Sequence, residues 1–119
     1  MTRQYAYPHA ERITRKVEFD RVFKSGRAYR TPDLSILSLP NGTPRSRLGM
    51  VVGRRMGAAP TRSRMKRLIR EAFRLNSPLR AAGLDIVVMP RETWKALRLA
   101  VVQNHLQGFF ESLAPKERR

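Results

Sequence analysis

The residues that could do chemistry are concentrated in a set of cations between Arg54 and Arg74. This stretch holds eight Lys or Arg side chains and a single acid, Glu71. Solvated helices usually interleave Glu with Lys, because like charges at helical spacing repel one another and destabilise the helix. Phosphates of a bound partner would offset that repulsion. The pattern therefore predicts a surface for a polyanion, and nucleic acid is the first partner to consider.

The whole-chain composition favours the same interpretation. The 119 residues carry 25 Lys and Arg against 9 Asp and Glu, a formal charge of +16, which far exceeds what solubility asks of a small domain. An apolar content of 41% is enough for a modest core in one domain. The chain has no cysteine, which excludes disulfides and thiol catalysis. No apolar run approaches the ~20 residues of a membrane span, so we expect a cytoplasmic protein without a membrane partner.

Side chains that could catalyse a reaction are few and scattered. His9 lies in a polar N-terminal segment, and His105 lies on a largely apolar helix, where a structural role is the commoner one. Asp20, Asp33 and Asp85 occur singly, so a protein nuclease with its own metal site is a weak hypothesis. Paired carboxylates, a nucleophile elbow and a Walker loop do not occur in the sequence. We therefore expect neither a catalytic residue nor a metal site on the protein.

Apolar periodicity predicts the elements that position the cations. The most secure element is a helix that begins near Pro60 and places Met65, Ile69 and Phe73 on one face, with the cations on the opposite arc. The other predicted elements are a helix over 17–24, strands over 34–39, 48–53 and 86–89, and a final helix over 94–113. This order predicts an α+β fold, an α/β sandwich with a small mixed sheet.

The same reading predicts the strand pairing and the domain boundaries. The strands over 34–39 and 48–53 are joined by a turn and should pair antiparallel, whereas the strand–helix–strand unit that follows allows a parallel pair. Residues 1–12 are predicted to be a flexible basic arm, residues 13–114 a single domain, and residues 115–119 a frayed C-terminus.

Two further features each allow a structural and a functional interpretation. Phe19 and Phe23 are spaced i, i+4 on the first helix; such rings are more often core, although exposed rings beside arginines hold single-stranded bases. Gly53 and Gly57 enclose a basic segment between a strand and a helix N-terminus, which is either a phosphate-binding loop or a flexible connector. The sequence leaves both alternatives open.

Three separated segments resemble the bacterial ribonuclease P protein family. RRMGAAPTRSRMKRLIREAFR at 54–74 is similar to the signature helix, FDRVFKSGR at 19–27 to the first helix and turn, and GLDIVVMPR at 83–91 to the last strand. The resemblance implies a protein cofactor of a ribozyme whose RNA subunit removes the 5′ leader of precursor tRNA. Divalent metal, Mg²⁺, would be bound mainly by that RNA. The resemblance also implies a fold like domain 2 of ribosomal protein S5, with a left-handed βαβ crossover, although ~98% of such crossovers are right-handed.

By position, the resemblance assigns two groups of residues to two RNA partners. The RNA subunit of ribonuclease P would be contacted by Arg62, Arg64, Lys66, Arg67 and Arg70. The cleft that binds the leader of precursor tRNA would be lined or flanked by Phe19, Phe23, Arg54, Arg55 and Arg91. Binding of the leader by stacking and phosphate contacts would be nearly independent of its sequence.

The chain departs from the family pattern near these positions. Ser63 stands where members usually have Asn, Ala58 where Asn is common, and Pro60 where Val is usual. Contacts made by those side chains to RNA or metal are therefore lost or altered here. Leu37 stands where some members carry a cleft tyrosine, so this strand offers no stacking ring.

Two other binding functions are alternatives to the ribozyme cofactor. A ribosomal or other RNA-scaffolding protein would be equally small and basic. A helix-turn-helix DNA reader would place Lys66, Arg67 and Arg70 in a major groove, but we expect no preference for duplex DNA.

Overall fold

The fold is a four-stranded mixed sheet with helices on both faces, which confirms the predicted fold class. The computed structural model describes residues 9–91, 94 and 98–113. In that part of the chain the elements are, in order, α1 (Lys16–Ser25), β1 (Arg27–Arg30), β2 (Leu34–Pro40), β3 (Arg47–Met50), α2 (Ala59–Arg74), α3 (Ser77–Arg80), β4 (Leu84–Pro90) and α4 (Leu99–Ser112), with 3-10 turns at His9–Glu11 and Arg54–Met56. The sequence did not predict β1 or α3.

The apolar run at residues 86–89 lies at the centre of the sheet. The strand order is β1-β2-β4-β3; β2 is antiparallel to β1 and β4, and β3 is parallel to β4. The predicted antiparallel pairing of residues 34–39 with 48–53 is therefore wrong, because β4 lies between these strands. All of β4 except Met89 is buried, and a strand covered on both faces belongs in the middle of a sheet. The parallel pair across α2 is confirmed, while the left hand of this crossover stays a prediction.

The two faces of the sheet pack against different helices. Ile86 and Val88 lie in the main core with α2 and α4. Val87 points the other way, into a smaller core with Val22 of α1 and with Ile13. Alternate residues of β4 thus serve two cores, as the pleat of a strand requires. Consequently α1 and α2 lie on opposite faces of the sheet.

The folded domain begins earlier than residue 13. The buried carboxylate of Glu11 accepts two hydrogen bonds from Arg80, each of 2.9 Å, and the Ile13 amide donates to the Leu48 carbonyl at 3.0 Å. Residues 9–12, which were expected to belong to the flexible arm, therefore lie against the outer edge of β3, where they cover backbone groups that an edge strand would expose. Residues 1–8 of the predicted arm lie outside the described residues.

The last helix begins later than predicted. Arg98 precedes α4 with an extended backbone, φ −122° and ψ 140°, so the helix cannot include Trp94. The Trp94 side chain is buried in the main core, and its amide donates to the Arg91 carbonyl at 2.8 Å. The expected start at Trp94 is therefore wrong, although its burial is as the apolar pattern indicated. Leu97 and the C-terminal segment 114–119 lie outside the described residues.

Candidate nucleic-acid interface

The cationic helix α2 forms for reasons that its own sequence supplies. Pro60 lies in the first turn, where its missing N–H costs no hydrogen bond. Met65, Ile69 and Phe73 recur at four-residue spacing and are buried in the main core. Since these apolar residues occupy one face of the helix, the cations are confined to the surface that points away from the core.

The five residues predicted to contact the ribozyme lie together on this outer surface of α2. Arg64 and Arg67 are exposed, whereas Arg62, Lys66 and Arg70 are half-buried. Arg62 Nε donates to the Gly57 carbonyl at 3.1 Å, and Arg70 Nε donates to the Lys66 carbonyl at 3.3 Å. Each bond uses one of the five N–H groups of a guanidinium and holds the head group beside the helix. The side chains are thus gathered on one surface, as the spacing predicted.

The acids in the described part of the chain each have a partner within the fold. Glu92 and Glu117 lie outside the described residues. Each of the other acids has a partner: Glu11 with Arg80, Glu18 and Asp85 with Arg47, Asp20 with Lys16, Asp33 with His105, Glu71 with Arg74, and Glu111 with Gln107. Only Glu71 is on α2, and Arg74 is not among the five predicted contacts. The described residues contain no group of three or more side chains suited to hold a metal ion.

A second candidate site lies where the two parallel strands end. The carboxyl ends of parallel strands meet at one edge of a sheet; Arg54–Met56 follows β3, and Arg91 follows β4. Arg55 and Arg91 are brought together there, lining an open cleft of about 520 Å³. The other lining residues are Val51, Gly53, Met56, Met89 and Pro90. Apolar walls between two guanidinium groups can hold bases by stacking and phosphates by charge.

The aromatic pair on α1 lies on the same face of the sheet as Met89, one of the residues that line this cleft. Met89 lines the cleft and also packs against the smaller core, as Phe19 does. The rings of Phe19 and Phe23 are stacked, with centroids 6.4 Å apart and an angle of 27° between their planes. Phe19 is half-buried, while Phe23 is 45% exposed. The structure therefore distinguishes the two rings: Phe19 is partly core, and Phe23 presents its ring to solvent.

Part of this cleft was not predicted from the sequence. Val51 and Met89 were not singled out, although the two-residue alternation from Gly49 and from Val87 places them on the α1 side of the sheet. Met56 belongs to a 3-10 turn and gave no periodic signal. Of the predicted leader contacts, Arg54 lies in the same turn as Arg55 but not among the lining residues of the cleft.

Two residues of β3, Arg47 and Gly49, allow α1 to pack closely on the sheet. The sequence did not predict this role for either of them. Arg47 donates to Glu18 of α1 at 2.6 Å and to both oxygens of Asp85 of β4 at 2.8 and 2.6 Å. Its hydrogen bond to Glu18 holds the pKa of that carboxyl below the ordinary value, and its bond to Asp85 raises the pKa of Arg47. Gly49 lies under Phe19, whose ring would be 2.7 Å from an added Cβ.

Fold and site together define a small basic α/β protein with two candidate RNA surfaces, a cationic helix and an arginine-flanked cleft. The ribonuclease P family model matches residues 7–114. The chain belongs to the ribonuclease P protein family.

Individual relatives and solved structures agree with this assignment. The ribonuclease P protein component of Desulfovibrio desulfuricans is 39% identical over 92 residues, which are 76% of this chain and 71% of that protein. The one from Thermotoga maritima is 38% identical over 87 residues, 73% of this chain and 74% of that protein. The solved RNase P protein of T. maritima matches with a TM-score of 0.74 and 32% identity, covering 87% of this chain and 98% of that one. That of Staphylococcus aureus matches with a TM-score of 0.74 and 29% identity, covering 85% and 93%.

Proposed function

We propose that this chain binds the RNA subunit of ribonuclease P through the outer surface of α2. Membership of the family makes it a component of ribonuclease P, an endoribonuclease of tRNA processing. The observation that carries the proposal is the gathering of cations on one helix surface whose single acid, Glu71, is paired with Arg74. These cations are Arg62, Arg64, Lys66, Arg67 and Arg70. Phosphates opposite that surface would relieve the mutual repulsion of its cations and release condensed counterions.

The cleft beside α1 is the proposed site for the single-stranded 5′ leader of precursor tRNA. Arg55 and Arg91 would contact leader phosphates, and Phe23, with Phe19 beneath it, would stack on a base. Each such stack contributes ~1–3 kcal/mol and tolerates any base. Nearly sequence-independent binding is what a subunit serving many precursors requires.

Cleavage itself is assigned in this proposal to the RNA. Asp85 and Glu11 are buried in ion pairs with Arg47 and Arg80, and Asp33 is engaged by His105. These carboxylates already accept hydrogen bonds from the chain, so they do not fit a site for divalent metal. We therefore propose that Mg²⁺ is held mainly by RNA and that the protein supplies binding.

The family assignment favours this role over a ribosomal or other RNA-scaffolding protein. None of the helices in the described residues has the length and apolar character needed to cross a membrane. We propose a cytoplasmic protein whose partners are ribonuclease P RNA and precursor tRNA, and which has no preference for duplex DNA.

A cleavage assay tests the proposal directly. Ribonuclease P RNA is incubated with precursor tRNA at low magnesium, with and without the purified protein. We expect the protein to increase the rate of leader removal, and we expect Phe23→Ala to weaken binding of leader-bearing precursor more than binding of mature tRNA. No gain in turnover from the wild-type protein would refute the cofactor role.

A further inference from the structure

The turn between β1 and β2 holds Arg91, one of the two cations that line the cleft. The Arg91 amide donates to the Asp33 carbonyl at 2.8 Å, and Arg91 Nη1 donates to the Thr31 carbonyl at 3.1 Å. Backbone and head group are therefore both anchored to the same three-residue turn, Thr31–Asp33. The position of that turn decides where the guanidinium of Arg91 lies.

The turn is itself ordered by local hydrogen bonds. The Thr31 hydroxyl oxygen accepts from the Asp33 amide at 3.2 Å and from the Leu34 amide at 2.9 Å. The Thr31 amide donates to the Leu34 carbonyl at 2.8 Å. Side-chain oxygens that satisfy amides in this way stabilise tight turns. These bonds fix the internal shape of the turn, and strand pairing of Arg30 with Ser35 and of Leu34 with Pro90 joins its ends to the sheet.

A side-chain contact also joins the turn to α4. His105 Nε2 lies 3.2 Å from Asp33 Oδ2, and both side chains are about one-fifth exposed, 19% and 20%. His105 is on a helix whose Val102, Leu106 and Phe109 are buried in the main core. The Asp33 carboxylate is thus held by a rigid element on the face of the sheet opposite α1.

We propose that Asp33 and His105 are positioning residues for Arg91, and through Arg91 for a phosphate of the bound leader. The proposal rests on the leader-binding function proposed above. A guanidinium on a flexible chain loses conformational freedom when it binds a phosphate, and a pre-positioned head group loses less. Releasing Asp33 would leave Arg91 present but less well placed, so only the component of leader affinity that Arg91 supplies would fall.

A double-mutant cycle in the reconstituted holoenzyme tests this proposal. The quantity measured is the leader preference, the ratio of the Kd for leaderless tRNA to the Kd for precursor tRNA with a leader. We expect Arg91→Ala to lower the preference by about tenfold, the effect of losing one hydrogen bond to a charged group, and Asp33→Ala by about three- to fivefold. In the Arg91→Ala background, Asp33→Ala should have no further effect, because the residue it positions is gone.

Conservative and matched variants separate positioning from a general loss of structure. Asp33→Asn keeps a side-chain oxygen toward His105 and should recover most of the preference. Glu111→Ala removes an acid from the far end of α4 and should leave the preference unchanged. Thermal unfolding of each variant checks that the domain folds.

The outcomes are distinct. A loss caused by Asp33→Ala that persists in the Arg91→Ala background would overturn the proposal, as would an unchanged preference in Asp33→Ala. If Arg91→Ala has no effect while Phe23→Ala lowers the preference, positioning of Arg91 is refuted and leader binding stands. If the wild-type holoenzyme shows no leader preference, the proposed function itself fails.

Discussion

Replacing Gly49 by Ala tests how closely α1 must approach the sheet. Gly49 is buried in β3, and an added Cβ would lie 2.7 and 2.8 Å from two ring carbons of Phe19 and 3.1 Å from the Cβ of Ile13. Neither neighbour is the tip of a flexible side chain, since one is a ring and the other a Cβ attached directly to backbone. The substitution therefore forces either the ring or the whole of α1 outwards.

The expected cost follows from two opposing effects. Overpacking of a well-packed site costs about 1–3 kcal/mol, while replacing a strand-interior Gly by Ala returns about 0.5–1 kcal/mol of conformational entropy and propensity. The net destabilisation should be about 1–2 kcal/mol. Displacement of Phe19 should also disturb its stack with Phe23, so leader preference should fall together with stability.

The assay is urea unfolding at equilibrium, followed by circular dichroism, with Gly53→Ala as the matched control. Gly53 has no atom within 4 Å of an added Cβ and a φ of −79°, which Ala adopts without strain. Gly53→Ala should leave the free energy of unfolding unchanged or raise it by up to about 1 kcal/mol. Equal stability of the two variants would refute the close approach of α1 that the structure shows.

Three further predictions concern single contacts. The buried hydroxyl of Ser46 donates to the Leu79 carbonyl at 2.6 Å and accepts from the Leu84 amide at 3.1 Å. Ser46→Ala should therefore lower the free energy of unfolding by about 1–3 kcal/mol. An unchanged free energy in urea unfolding would contradict this. Arg47 lowers the pKa of Glu18 in the folded state, so the stability that this carboxylate contributes is present above the ordinary pKa of 4.5 and is lost as the pH falls through the folded-state pKa. The free energy of unfolding of Glu18→Gln, measured from pH 6 to about 3, should therefore depend less steeply on pH than that of the wild type. Parallel curves would argue against the ion pair. Phe23→Ala should reduce leader preference by about fivefold or more. Val17→Ala, at a still more exposed apolar position on the same helix, should not reduce it, and gel-shift titration of the holoenzyme with the two tRNA forms measures both effects.

The cationic surface of α2 could be predicted from sequence because its cause is local. Apolar residues at helical spacing, among them Met65, Ile69 and Phe73, decide which face is buried, and the arginines are left on the other. A proline in the first turn fixed where the helix begins. No contact with a distant segment is needed for either inference.

The strand order and the cleft could not be predicted because they depend on pairings between distant residues. Nothing near residues 34–39 or 48–53 in sequence says that β4 lies between them; that follows from burial of β4 on both faces. The contacts of Arg47 with Glu18 and Asp85 likewise join residues 29 and 38 positions apart. The chain has 25 Lys and Arg residues, and residue type alone does not distinguish Arg47, which has a structural role, from those proposed to bind RNA.

The salt dependence of affinity for ribonuclease P RNA tests the central claim most directly, that the cations of α2 contact RNA phosphates. Arg64→Ala and Arg67→Ala should each weaken binding and each reduce the slope of log affinity against log salt by roughly 1. Lys16→Ala removes the same charge from α1, on the opposite face of the sheet, where its side chain is 90% exposed, and should leave the slope unchanged. Slopes for Arg64→Ala and Arg67→Ala equal to the wild-type slope would contradict the account.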